Sequence, residues 1–189
     1  MPSVRVLGVD TPVEFIDGHG TAPLDRAALL AGLEDAMALV NRTAGWTAEE
    51  RAAFEGMRKI VFFQGEVTVN GWPLSRPGCD QDDAVFYWEA VEFMANTDAD
   101  VRANTFFHDC WHVVQFKRIG DFARTPDDQV AREIDAIDRQ IAVAQKLGCD
   151  EREIQFLRDF RADQDRIVAR LAEGVGHRAI PDHPTVMQA

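Results

Sequence analysis

No apolar run in the chain approaches the ~20 residues that a membrane-spanning helix needs, which argues against a helical membrane protein. The opening segment MPSVRVLGVDTPVEF lacks the basic start and long apolar stretch of a secretory signal. The expectation is a cytoplasmic protein, with export by a signal-free route as the alternative. Cysteine is scarce: Cys79, Cys110 and Cys149 are odd in number, far apart and form no CxxC pair. That pattern excludes a disulfide framework and a thiolate zinc knuckle and fits reduced thiols. Positive charge is also short, with 20 Lys and Arg against 32 Asp and Glu and a net charge of -12. The basic residues are scattered among acids, so a nucleic-acid backbone would be repelled and no such partner is expected.

The chain does have the makings of a core. Its 189 residues are 46% hydrophobic and 28% charged, which suits one globular domain. That domain is expected over 1–173, followed by an irregular tail at 174–189 containing Pro181 and Pro184. Valines at 4, 6 and 9 and the stretch Val13 to Ile16 are β-prone, and Asp17-Gly18-His19-Gly20 reads as a turn. Apolar spacing from Pro23 to Val40 predicts a helix. Thr47 with Glu50 three residues on makes a capping box for a second helix, expected to run through Phe54, Met57 and Ile60. Glu66 to Val69 reads as a short strand ending at the turn Asn70-Gly71, Trp72 to Asp83 as loop, and the aromatic stretch 84–94 as a strand with a helix as the competing reading.

The rest is helical. Thr97 or Asp98 starts a helix that Gly120 ends. Thr125-Pro126-Asp127-Asp128 starts the next, which stops at Gly148. Asp150 with Glu153 caps a last helix that runs past Phe160 and Ile167 to Leu171, antiparallel to the one before. The whole predicts an α+β fold, mostly helical, with a small mixed β-sheet beside the helix of residues 97–120.

That helix carries the chemistry. Within Phe106-Phe107-His108-Asp109-Cys110-Trp111-His112, the two histidines stand four positions apart, so both imidazoles share one face. Such a pair binds one zinc ion through ring nitrogens at ~2.0–2.1 Å and needs a further protein ligand. Glu133 on the following helix is the candidate, with Asp127, Asp128, Asp135, Asp138 and His177 as rivals. Asp135 and Asp138 also qualify as partners that fix an imidazole tautomer. Cys110 points away from His108 and reads as a core thiol, as Trp88, Trp111 and the phenylalanines read as core and His19 as a turn residue.

The arrangement His108-Asp109-Cys110-Trp111-His112 with Glu133 resembles the gluzincin, or thermolysin-like, clan of zinc metallopeptidases, over roughly residues 84–140. The Phe-Phe before the motif and Gln115 after it are similar to small bacterial zincins. The resemblance implies a zincin-like domain in which His108, His112 and Glu133 bind Zn²⁺, Asp109 is the catalytic base, and the substrate is a peptide or protein. It also implies that the strand at 84–94 is an edge strand beside the active-site helix. The clan has Glu where this chain has Asp109, one methylene shorter, and a base must come within ~2.6–3.2 Å of its proton. Gln115 and Arg118 exclude the metzincin variant. The oxyanion partner has Tyr87, His177 and Arg178 as candidates. Three other readings stand beside this one. His108-Asp109 suggests an HD-type phosphohydrolase, whose upstream histidine would have to be His19. Asp109 with His112 suggests a di-iron bundle, whose motif occurs here only once. The Asp at the base position suggests a lapsed zincin-like module that binds a partner.

Overall fold

A computed structural model describes residues 1–19, 21–69, 72–74, 77–120 and 125–172. Two strands, β1 (Ser3–Val6) and β2 (Val9–Ile16), pair antiparallel with Val6 opposite Val9. Their two-residue turn puts Leu7 and Gly8 at φ 48° and 99°, the left-handed geometry that matches hairpin twist. Asn41 holds it, accepting from the Leu7 amide and donating to the Arg5 carbonyl. Helices α1 (Arg26–Arg42) and α2 (Ala48–Gly56) follow. The capping box of α2 forms in both directions, Thr47 with Glu50.

The second helix stops at Gly56, short of the expected Ile60, and β3 (Lys59–Phe63) begins instead. The reason is position in the sheet. The order is β1-β2-β3-β7-β6, with β3 in the middle and parallel to both neighbours. A central strand buried on both faces reads as an unbroken apolar run, here Ile-Val-Phe-Phe, without the alternation that marks a half-exposed strand. Trp72 to Asp83 also differs from the expected loop: β4 (Val67–Val69) pairs with β5 (Trp72–Leu74), and β6 (Gly78–Asp80) joins the main sheet. Asn70 and Gly71, read as the turn, lie outside the described residues, as does the tail from 173.

The stretch 84–94 divides in two. β7 (Val85–Glu89) ends where the Glu89 side chain caps α3 (Ala90–Ala95), accepting from the Glu92 amide. β7 is moreover an interior strand, parallel to β3 on one side and antiparallel to β6 on the other. It is not the edge strand expected, because its backbone groups are already paired on both sides.

Alternation along β3 and β7 separates two cores. Ile60, Phe62, Phe86 and Trp88 face the helices in the main core with Phe54, Phe106 and Trp111. Val61, Phe63, Val85 and Tyr87 face the other way, against Val67, Val69 and Leu74 of the β4–β5 hairpin. α4 (Ala99–Ile119) is sandwiched between sheet and helices and is buried around most of its circumference. α1 crosses it at Gly32, where a Cβ would lie 2.3 Å from the Arg102 guanidinium. Arg102 fills that space, stacked over the Phe93 ring and donating to the Phe93 carbonyl. Gly120 ends α4 in the left-handed conformation, φ 71°. α5 (Pro126–Leu147) starts as expected, with Thr125 accepting from the Asp128 amide, and packs along α4.

The last helix breaks at Asp163 into α6 (Glu151–Ala162) and α7 (Gln164–Ala172). Asp163 accepts from the Arg166 amide, and such local side-chain bonding favours a fresh helix start over a continued one. Both helices pack on α5 around Ile137, Phe160 and Ile167. Among the described residues, seven helices and a mixed sheet make an α+β fold. No described helix is long and apolar enough to cross a membrane.

One charge in this outer layer is adverse. The Asp150 side chain accepts from the Glu153 amide. Burial, then the Asp150 and Asp100 carboxylates, push the Glu153 carboxyl above its usual range. An acid raised in the folded state contributes stability that is full at low pH and lost as pH rises through its folded value. Glu153→Gln keeps the shape and removes the charge. It is expected to raise stability at pH 7, and with it the thermal midpoint, by less than about 1 kcal/mol of free energy because the group is part-exposed and screened. The gain disappears below about pH 4. Thermal melts at the two pH values check this, and a lower midpoint at pH 7 would overturn it.

Candidate metal centre

Three donors converge between α4 and α5. His108 and His112 project from one face of α4, and Glu133 meets them from α5. Their ligand atoms all lie within 4.8 Å of one another. The two Nε2 atoms are 3.0 Å apart. Each carboxylate oxygen of Glu133 takes one imidazole: Oε1 is 3.4 Å from His108 Nε2, and Oε2 is 3.4 Å from His112 Nε2. The His112 and Glu133 side chains are 1% and 6% exposed, whereas His108 keeps 16% and forms the side of the cluster open to solvent.

The tautomers follow from what lies behind each ring. The Gln115 amide nitrogen donates to the Arg132 carbonyl at 2.9 Å and to the Asp135 carboxylate at 2.8 Å. Its oxygen therefore faces His112 Nδ1, at 2.7 Å. An amide oxygen only accepts, so His112 carries its proton on Nδ1 and presents a lone pair at Nε2. The Gln140 oxygen likewise lies 3.1 Å from His108 Nδ1, with the Gln140 nitrogen donating to the Asn104 carbonyl at 3.5 Å. Backing of Nδ1 by a hydrogen-bond acceptor is the usual support of a ligating histidine.

Two imidazole nitrogens and a carboxylate converging on one point need a shared proton or a cation between them. Two imidazole nitrogens bound to one tetrahedral zinc at ~2.0–2.1 Å stand about 3.3 Å apart, close to the spacing found. The donor set and geometry fit a metal ion. Burial disfavours a charged His108, but Glu133, with Asp109 behind it, outweighs burial and raises the imidazole above its ordinary range. Arg170 of α7 acts in the opposite sense.

Asp109 stands apart from the three donors. It is buried, about 100° round α4 from His108. Its charge reaches both His108 and Cys79 of β6, whose thiol burial and then Asp109 push well above the usual range. Cys110 is a fully buried core thiol, and Trp88 and Trp111 are core. His19 is exposed in the loop after β2, outside the cluster.

Among the rival third ligands, Asp127 is exposed, Asp128 pairs with Arg132, and Asp138 pairs with Arg161. Asp138 is thus no tautomer partner, and Asp135 reaches His112 only through Gln115. Tyr87 faces the β4–β5 hairpin, on the side of the sheet away from α4, and so is not at the site. His177 and Arg178 lie outside the described residues. Gln140 and Arg170 were not foreseen from sequence. Gln140 follows Glu133 by two turns on the same helix face, a spacing that could have drawn attention to it.

Fold and site together define an α+β protein with a His/His/Glu donor cluster between two antiparallel helices. In comparisons with known proteins, no family model, no curated protein and no solved structure matches the chain.

Proposed function

We propose that His108, His112 and Glu133 hold one Zn²⁺ and that the protein is a zinc-dependent hydrolase of peptide bonds, acting on a peptide or protein substrate. The observation that carries this reading is the pair of Nε2 atoms, 3.0 Å apart and both faced by Glu133, with a glutamine oxygen against Nδ1 on the far side of each ring. Two neutral imidazoles and one carboxylate are the three-ligand set of catalytic zinc sites. When bound, zinc acidifies a coordinated water and polarises the scissile carbonyl. In this reading the buried Asp109 carboxylate takes the proton of the attacking water. The open His108 side admits substrate. Arg170, whose charge reaches that side, replaces Tyr87 as the candidate partner for the developing oxyanion. The three free, buried cysteines suit a reducing, cytoplasmic setting.

Elemental analysis of purified protein tests the centre. About one zinc per chain is expected in wild type, with loss from His108→Ala, His112→Ala and Glu133→Ala. No metal after incubation with zinc, or metal unchanged in His112→Ala, would sink the reading. A specific observation favours a second reading, a zinc-binding module without catalysis: the Asp109 charge acts on Cys79 of β6 as well as on His108. The two share the metal result and part on hydrolysis.

A further inference from the structure

The two histidines of the cluster are backed unequally. Behind His108, Gln140 is anchored by one long bond to a neutral carbonyl. Behind His112, Gln115 is anchored twice, to the Arg132 carbonyl and to the Asp135 carboxylate. Oδ2 of Asp135 also accepts from Trp111 Nε1 at 2.7 Å, and Arg139 stands 3.9 Å from its other oxygen. The Trp111 ring that holds Asp135 is itself fully buried, with the Arg118 and Arg139 guanidiniums 5.1 and 4.8 Å from its centroid. The carboxylate is therefore fixed from several sides although it touches neither imidazole.

From these contacts we infer that Asp135 is a positioning residue for the metal centre: it fixes the orientation of the Gln115 amide and thereby locks His112 in the tautomer that is protonated at Nδ1 and can ligate through Nε2. The logic is one of donors and acceptors. Rotating the Gln115 amide by half a turn would set its oxygen against the Asp135 carboxylate and the Arg132 carbonyl, three acceptors together. It would also turn an N–H towards His112 Nδ1, demanding the opposite tautomer, whose Nε2–H blocks a metal. Asp135 makes that arrangement repulsive. Gln140 has no charge behind it, so the lock on His108 is weaker.

The proposal rests on the metal-centre reading for its zinc readout and not for its tautomer readout, so the two can fail separately. Zinc affinity is measured for wild type, Gln115→Ala, Asp135→Ala and the double variant, with Asp138→Ala as control. Asp138 is an exposed carboxylate on the same helix, paired with Arg161, with no path to an imidazole. Each site-linked single substitution is expected to weaken zinc by about 10–100-fold. The double variant should be no worse than Gln115→Ala, because Asp135 acts through Gln115. The control should match wild type. Losses that multiply, or Asp135→Ala behaving like Asp138→Ala, would overturn the proposal, since a carboxylate that merely braces the helices gives those results. ¹⁵N NMR of metal-free protein reads the tautomer directly. His112 Nε2 should be unprotonated in wild type and shift towards the protonated value in Asp135→Ala; an unchanged shift sinks the proposal even if wild type binds no zinc.

Discussion

Zinc-loaded Asp109→Asn is expected to hydrolyse peptides about 10²–10⁴-fold more slowly than wild type, the range for loss of a general base, with its zinc content unchanged. The amide has the carboxylate's shape but cannot accept a proton, and Asp109 is not among the three donors. The substitution thus separates chemistry from metal binding. Turnover of quenched-fluorescent peptides by metal-verified protein is the measurement. Equal rates in wild type and variant would remove Asp109 from the mechanism. A wild type that holds zinc yet cleaves nothing would favour the binding module. Asp109→Glu then asks whether reach is limiting: the added methylene lengthens the side chain, at the cost of crowding a site that is 8% exposed.

Lys146→Met should cost about 2–4 kcal/mol of stability at neutral pH, towards the lower part of what breaking a buried ion pair costs. The Glu50 side chain is 6% exposed, and Lys146 Nζ meets its two oxygens at 2.7 and 2.5 Å while also donating to the Gly45 carbonyl. Removing the ammonium strands a buried carboxylate at the start of α2. Burial alone pushes the Glu50 carboxyl up, but the bonds from Lys146 and the Thr47 amide outweigh it and hold the group below its usual range. An acid lowered in the folded state stabilises above its unfolded value and loses that contribution as pH falls through the folded one. The deficit of Lys146→Met should therefore shrink in acid. Urea unfolding at pH 7 and near pH 3 measures both parts. A change below about 0.5 kcal/mol at pH 7 would show that the pair behaves as a surface ion pair.

What could be read from the sequence was whatever depends on neighbours in the chain. The Thr47–Glu50 box, Thr125 with Pro126, and the glycines at 120 and 148 fixed helix ends by local hydrogen bonding, and the structure has them. The His108/His112 step is equally local. Ile60 was misread because only the sheet, closed by Val13 and Phe86 on either side, makes that residue a strand. Glu89 hid a helix start inside an aromatic stretch, since a carboxylate among Phe, Tyr and Trp gives no periodic signal. Gln140 shares a helix face with Glu133 in the sequence, but its place behind His108 shows only once α4 and α5 are side by side. Tyr87 shows the converse: its chemistry suggested a role, and the face of the sheet it occupies removes it.

The donors all come from the hairpin of α4 and α5, whereas the parallel strands β2, β3 and β7 are joined by long connections. A metal held by His108, His112 and Glu133 is in effect a crosslink across the connection between the two helices. Like any crosslink it removes configurations from the unfolded chain, and it does so within one local segment. Bound metal would thus strengthen the hairpin before it strengthened the sheet. Contacts near in sequence form sooner than distant ones, so the hairpin is the part of this molecule able to capture an ion while the parallel strands are still apart.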